Sequence, residues 1–274
     1  MVLKLQLLPR LRFGNSPLRK AQRAHLQAAK QGDREQYLAL AANYLDLTAE
    51  FLGGTLSEHE GGRLQRVEQL FVELWQRLRF AERLSDFEFM LAQALIRMDT
   101  TRARVESANP MVTKLRIFEP GARFAFIAYE CEHWPLRWIA LALRVKESAI
   151  HRLLCAARCD LCGISWESLT SEERDCLEAV SRSLAECPSI RAAKLLSQRI
   201  SLYPRVAQIK AEWLELRAEM VEVRQRYRPT DAHREQVLRS ILEQVAREPM
   251  QRPPIVHRVF NSVRFTRHPE IKVS

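Results

Sequence analysis

Seven large apolar residues, Val206, Ile209, Trp213, Leu216, Met220, Val223 and Tyr227, recur at alternating spacings of three and four for three heptads. That alternation is the seam of a helix that packs along its whole length against other helices. Pro204 suits a first helical turn, so the helix runs from Pro204 to Tyr227, about 36 Å at about 1.5 Å per residue. One short neighbour cannot cover that length. Either the chain folds back as a helical hairpin to bury the seam, or the seam takes a partner helix or a second copy.

The rest of the chain reads as helical too. Only 8 of 274 residues are glycine, Val/Ile/Thr alternation is almost absent, and Leu, Ala, Glu, Gln and Arg are abundant, so the expected class is all-α. A hydrophobic fraction of 47% is ordinary for a globular core. A helix is expected from Ala21 to Lys30. Gly32-Asp33-Arg-Glu-Gln36 then offers a stop followed by a capping box, and Gly53-Gly54 closes the next helix. Leu64, Val67, Leu70, Phe71, Leu74, Trp75 and Leu78 form an apolar stripe. Ser85-Asp-Phe-Glu88 and Thr170-Ser-Glu-Glu173 read as further capping boxes, and Asp231 to Glu248 as a last amphipathic helix.

Residues 133–158 read as two short helices with a tight turn at Arg144-Val145-Lys146. Pro135 opens the first, Ala140 is small enough for close approach, and Val145, Ile150, Leu153 and Leu154 bury the second against it. Lys146, Ser148, His151, Arg152 and Arg158 are expected on the outer side, a polar and basic face of the kind that enters a major groove. Helical hairpins of this shape also occur in proteins that never touch DNA.

Ile139-Ala-Leu-Ala-Leu-Arg-Val145 followed by Ala149-Ile-His-Arg-Leu-Leu-Cys-Ala-Ala-Arg158 resembles the promoter-reading domain of bacterial sigma factors of the extracytoplasmic-function type. Three upstream segments resemble the same family in order: Ala29-Lys-Gln-Gly-Asp-Arg-Glu-Gln-Tyr37, Val67-Glu-Gln-Leu-Phe-Val-Glu-Leu-Trp75 and Phe87 to Leu91. The likeness covers about residues 21–161. The chain departs from the family pattern at Trp138, where the family has Glu, and at Arg144, where it has the turn Gly. Lys146 replaces a capping Ser, Met90 a Trp, and Arg63 follows a Gly pair where acids are the rule.

This resemblance implies a transcription-initiation protein. Its first helical domain, residues 21–98, would dock on core RNA polymerase, with exposed Glu68 and Glu73 carrying contacts. A linker at 99–121 would lead to a helix-turn-helix domain at 122–164 that binds promoter DNA. Residues 165–249 form a C-terminal helical extension, with basic segments at 1–20 and 250–274. An anti-sigma or other regulatory protein is a further expected partner. The alternative is a degenerate sigma-like adaptor that works through protein–protein contact at the seam.

A formal charge of +10 suits an anionic partner such as nucleic acid. Residues 1–34 hold eight Lys/Arg against Asp33 alone. No phosphate-cradling, dinucleotide, nucleophile-elbow or zinc-protease motif occurs, so neither catalytic residues nor a cofactor are expected. No apolar run approaches the ~20 residues needed to span a bilayer, and the first nine residues are too short for a signal peptide, so a cytoplasmic location is expected. The six cysteines then read as reduced thiols. His151, Cys155, Cys159 and Cys162 are all metal-ligand types within twelve residues. One regular helix would hold positions 151 and 159 about 12 Å apart, so zinc there needs a broken helix.

Overall fold

The computed structural model describes residues 17–55, 60–100, 110–185 and 189–251. Among them the chain is all-α, with thirteen α-helices, two short 3-10 turns and no strand. In order these are α1 (Pro17–Lys30), α2 (Arg34–Ala42), α3 (Leu45–Thr55), α4 (Glu60–Gln76) and α5 (Leu84–Thr100). Then come α6 (Pro110–Leu115), α7 (Pro120–Glu130), α8 (Leu136–Leu143) and α9 (Glu147–Leu161). The last four are α10 (Ser171–Ala185), α11 (Ile190–Ser201), α12 (Pro204–Tyr227) and α13 (Asp231–Arg247).

Local chemistry explains several boundaries. Thr170 and Glu173 make the expected reciprocal box at α10: Glu173 N donates to Thr170 Oγ1 (3.2 Å) and Thr170 N to Glu173 Oε2 (2.9 Å). Asp33 caps α2 by accepting from Gln36 N at 3.0 Å, while the Gln36 side chain turns to His25 Nδ1. The box expected at Ser85 does not form. Arg83 N donates instead to Asp86, and Glu88, fully buried, is taken by Arg19 and Tyr44. Nor does Gly53-Gly54 end its helix, since α3 continues to Thr55. Gly53 is there for space: a Cβ would sit 2.3 Å from the Tyr227 ring.

The expected linker is partly structured. Residues 101–109 lie outside the described residues, but α6 buries Met111, Val112 and Leu115. The basic arm ends sooner than expected, because α1 starts at Pro17 and buries Arg19; residues 1–16 and 252–274 lie outside the described residues.

The expected boundaries at 98, 121 and 164 do not separate cores. One continuous apolar core takes Leu26 to Leu95 from α1–α5, Phe124 to Leu161 from α7–α9, Leu216 to Tyr227 from α12, and Val237, Ile241 and Val245 from α13. A smaller core joins Cys155 and Cys159 of α9, Cys176, Leu177 and Val180 of α10, Ile200 of α11, and Val206, Ile209 and Trp213 of α12. Helix α12 thus spans both cores. Its seam is covered by the chain itself, and all seven seam residues are buried. This corrects the reading of the seam as a partner-helix site. It is not a hairpin with α13 either, for after Pro229 the chain carries α13 away to lie against α2 and α4.

Candidate functional sites: the helix-turn-helix and the α4 face

Helices α8 and α9 form the expected helix-turn-helix. Ile139, Ala140, Ala142 and Leu143 of α8 are buried. The helix ends where Arg144 adopts the left-handed conformation (φ 54°, ψ 42°), with Val145 N donating to the Ala140 carbonyl at 3.0 Å. That is the backbone a turn glycine would supply, held here by a residue with a Cβ. Lys146 then starts α9 in an extended conformation, without a side-chain cap.

The outer face of α9 is narrower than the sequence suggests. Lys146, Ser148 and Arg152 are exposed, with Glu147 beside them. His151 and Arg158 are not, and their reading as DNA contacts is corrected. His151 is buried, its Nδ1 3.7 Å from Glu178 of α10. Arg158 is 1% exposed. Its Nε and Nη2 donate to Glu130 Oε1 (2.8 and 2.5 Å) and its Nη1 to Ser181 Oγ (2.6 Å). The guanidinium lies between the rings of Tyr129 and Trp213, each 5.3 Å away. Burial is the largest single influence and opposes its charge, but Glu130, Tyr129 and Cys155 together outweigh that and raise its pKa above the ordinary value. A wheel drawn for α8 and α9 alone exposes both residues; α10 and α12 cover them.

Helix α8 and its turn are fastened to α1 and α5 by two of the residues that depart from the sigma-factor pattern, Trp138 and Arg144. The Arg19 guanidinium of α1 stacks 3.7 Å over Trp138, and Arg144 lies 3.8 Å over Phe89 of α5 with Asp86 at 3.9 Å. A third, Arg63 of α4, is buried 5.4 Å from the Tyr227 ring of α12.

The α4 face is covered as well. Glu68, expected to be exposed, accepts from Ser240 Oγ (2.8 Å) and Gln244 Nε2 (3.5 Å) of α13. Trp75 Nε1 donates to the Glu248 carbonyl at 2.9 Å, and Gln251 N to the Gln76 carbonyl at 2.8 Å. Glu73 does face solvent, paired with Arg97 (2.9 Å) and Arg77 (3.4 Å).

Where α3, the α7–α8 turn and α12 meet, three acids gather that the sequence reading did not single out. Asp46 pairs with Arg228 (2.7 Å) and Arg234. Glu50 is fully buried, and neither of its oxygens meets a hydrogen-bond partner. Arg224 Nε lies 3.9 Å from Glu50 and 3.6 Å from Glu132. Burial first, then the Glu132 carboxylate, push the Glu50 pKa up to about 9. These acids are spread over some 86 positions of sequence and carry no local spacing that would have revealed them.

The four residues weighed for zinc are not gathered. Cys155 and Cys159 lie in the smaller core beside Cys176, while His151 faces Glu178. Burial pushes the Cys155 thiol up to about 11 and Cys159 further still. Among the described residues no group of three or more His, Cys, Asp or Glu side chains is placed to hold a metal ion. No described helix is long and apolar enough to cross a membrane. A shallow cleft of about 410 Å³ lies between α6, the end of α9 and α12, lined by Lys114, Asp160, Cys162 and Glu212 among others. No known protein family, curated protein or solved structure matches this chain.

Proposed function

We propose that this is a sigma-factor-like transcription protein in a closed form. It binds promoter DNA through the N-terminal half of α9 and recruits core RNA polymerase through the α4 face, without catalytic residues. The observation that carries the reading is the α8–Arg144–α9 turn, with left-handed backbone where a turn glycine stands in the resembling family and with Lys146, Ser148 and Arg152 outward. The ordered likeness of residues 29–37, 67–75 and 87–91 supports it. The closed form follows from contacts: Trp138 and Arg144 tie the helix-turn-helix to α1 and α5, Arg63 ties α4 to α12, and α13 covers Glu68.

The test is capture by core RNA polymerase with and without α13 loosened. Ile241→Asp places a charge in the buried α13–α4 contact and should raise capture well above that of the unaltered chain. Glu68→Lys with Glu73→Lys in that background should abolish it. The second reading, an adaptor that no longer reads DNA, is favoured by the burial of His151 and Arg158 beneath α10 and α12. Absence of capture in the loosened protein, with helicity retained, would replace the first reading by the second.

A further inference from the structure

Helix α11 and the outer side of α12 are the least covered part of the described molecule. Of the eight large apolar residues exposed among the described residues, five fall here: Ile190, Leu195, Leu202, Leu214 and Val221. Isolated exposed apolar residues are ordinary, but such a concentration on one helical hairpin marks a docking surface. Helix α11 buries only Ile200. On α12, Leu214 and Val221 belong to a second heptad row, with Ala207, Ala211 and Ala218, on the side opposite the buried seam.

The charges say what covers this surface. From Ser189 to Tyr203 there is no acid, and Arg191, Lys194 and Arg199 are all exposed. On α12 the basic flank is turned to the body of the protein: Arg217 lies 3.8 Å from Glu130, and Arg224 lies near Glu50 and Glu132. The opposite flank presents Glu215, Glu219 and Glu222 to solvent, the first two at the rim of the cleft beside Lys114, with Arg226 exposed beyond them at the end of the helix. The outward surface is therefore basic on α11 and acidic along the middle of α12, with the apolar row beside the acids. A nucleic acid would meet the glutamates, and an acidic protein likewise. A second copy carries the same two charges in the opposite order. Because α11 and α12 are joined by Leu202 and Tyr203 alone, a two-fold axis running along the hairpin sets α11 of one copy against α12 of the other.

We infer that the α11–α12 hairpin is a homodimer interface, an isologous four-helix contact in which the basic face of α11 meets the acidic flank of α12 from a second copy. This does not depend on the proposed function. The contact is polar at its edges and small-residue-rich at its centre, so dimerisation is concentration- and salt-dependent.

The test is the mass of the full chain by light scattering across a concentration series at low salt. The expected result is a dimer at on the order of 100 μM that dissociates on dilution. Arg191→Glu with Lys194→Glu, and separately Glu215→Lys with Glu219→Lys, should each weaken association about tenfold or more, with circular dichroism unchanged because the altered side chains are exposed. Mixing the two reversed proteins should restore a dimer, since each then offers the charge the other lacks. A monomer at every concentration overturns the inference. A dimer indifferent to both reversals, or reversed proteins that fail to pair on mixing, also overturns it.

Discussion

Arg152 and Arg158 lie six positions apart on one helix, yet they have opposite roles. Arg152 is exposed on the first half of α9, whereas Arg158 is enclosed by Glu130, Ser181, Tyr129 and Trp213. Arg158→Ala leaves the buried Glu130 without its hydrogen-bonding partner and with only Arg217 at 3.8 Å, so it should cost about 3–5 kcal/mol in urea denaturation. Arg152→Ala should leave stability within about 0.5 kcal/mol. On the proposed function it should weaken promoter binding by about 1–3 kcal/mol in a salt-controlled titration. Equal stability losses in the two variants would contradict the placement of Arg158.

Glu50 makes a second residue-scale prediction. Its folded-state pKa, near 9, stands above the ordinary 4.5, so the folded chain keeps a proton that the unfolded chain has released. The stabilising effect of that proton is complete below about pH 4.5 and declines as pH rises toward 9, by at most about 1.4 kcal/mol per pH unit. Asp46, Glu132 and Arg224 face the same cluster and will broaden the titration. Glu50→Gln removes the dependence. The melting temperature of Glu50→Gln relative to the unaltered protein should rise between ~pH 5 and ~pH 8. A constant difference would mean that Glu50 is charged in the folded protein.

At the scale of elements, α3 and α12 approach closely because Gly53 has no side chain where Tyr227 packs. Gly53→Ala introduces a better helix former but puts a Cβ 2.3 Å from the ring, so the overpacking cost of about 1–3 kcal/mol should outweigh the propensity gain. Tyr227→Leu should relieve part of that cost, giving non-additive losses in a double-mutant cycle. Additive losses would show that the two side chains do not meet. Helix α13 has a different character. It holds α2 and α4 through Val237, Ile241 and Val245 and through hydrogen bonds at Ser240 and Glu248, and it has no extended contact with α12.

For the whole molecule, α12 decides the architecture. It contributes four residues to the large core and three to the small one, so residues 165–249 are not an appendage to two finished domains. Ending the chain after Gly163 would strip the cover from Cys155, Cys159 and Arg158 and from the α2–α4 face beneath α13. The shortened protein should therefore aggregate or lose cooperative unfolding, and the full chain should melt in a single transition. A soluble 1–163 fragment with a sharp melt would restore the separate domains.

Periodicity and capping chemistry are local, and they alone determined the helical class, the seven seam positions, the Thr170–Glu173 box and the α8–turn–α9 pair. Each depends on residues within a few turns of one another. Which side of a helix meets water is not local. His151 and Arg158 read as outward from α8 and α9 alone, whereas the structure lays α10 and α12 over the other side of α9. In the same way Glu68 lies under α13, and the seam is closed from within. Glu50 and Glu132 are 82 positions apart, and only folding brings them to one half-buried Arg224. The burial of a charge depends on how many helices converge on it, and that number is set by the tertiary packing.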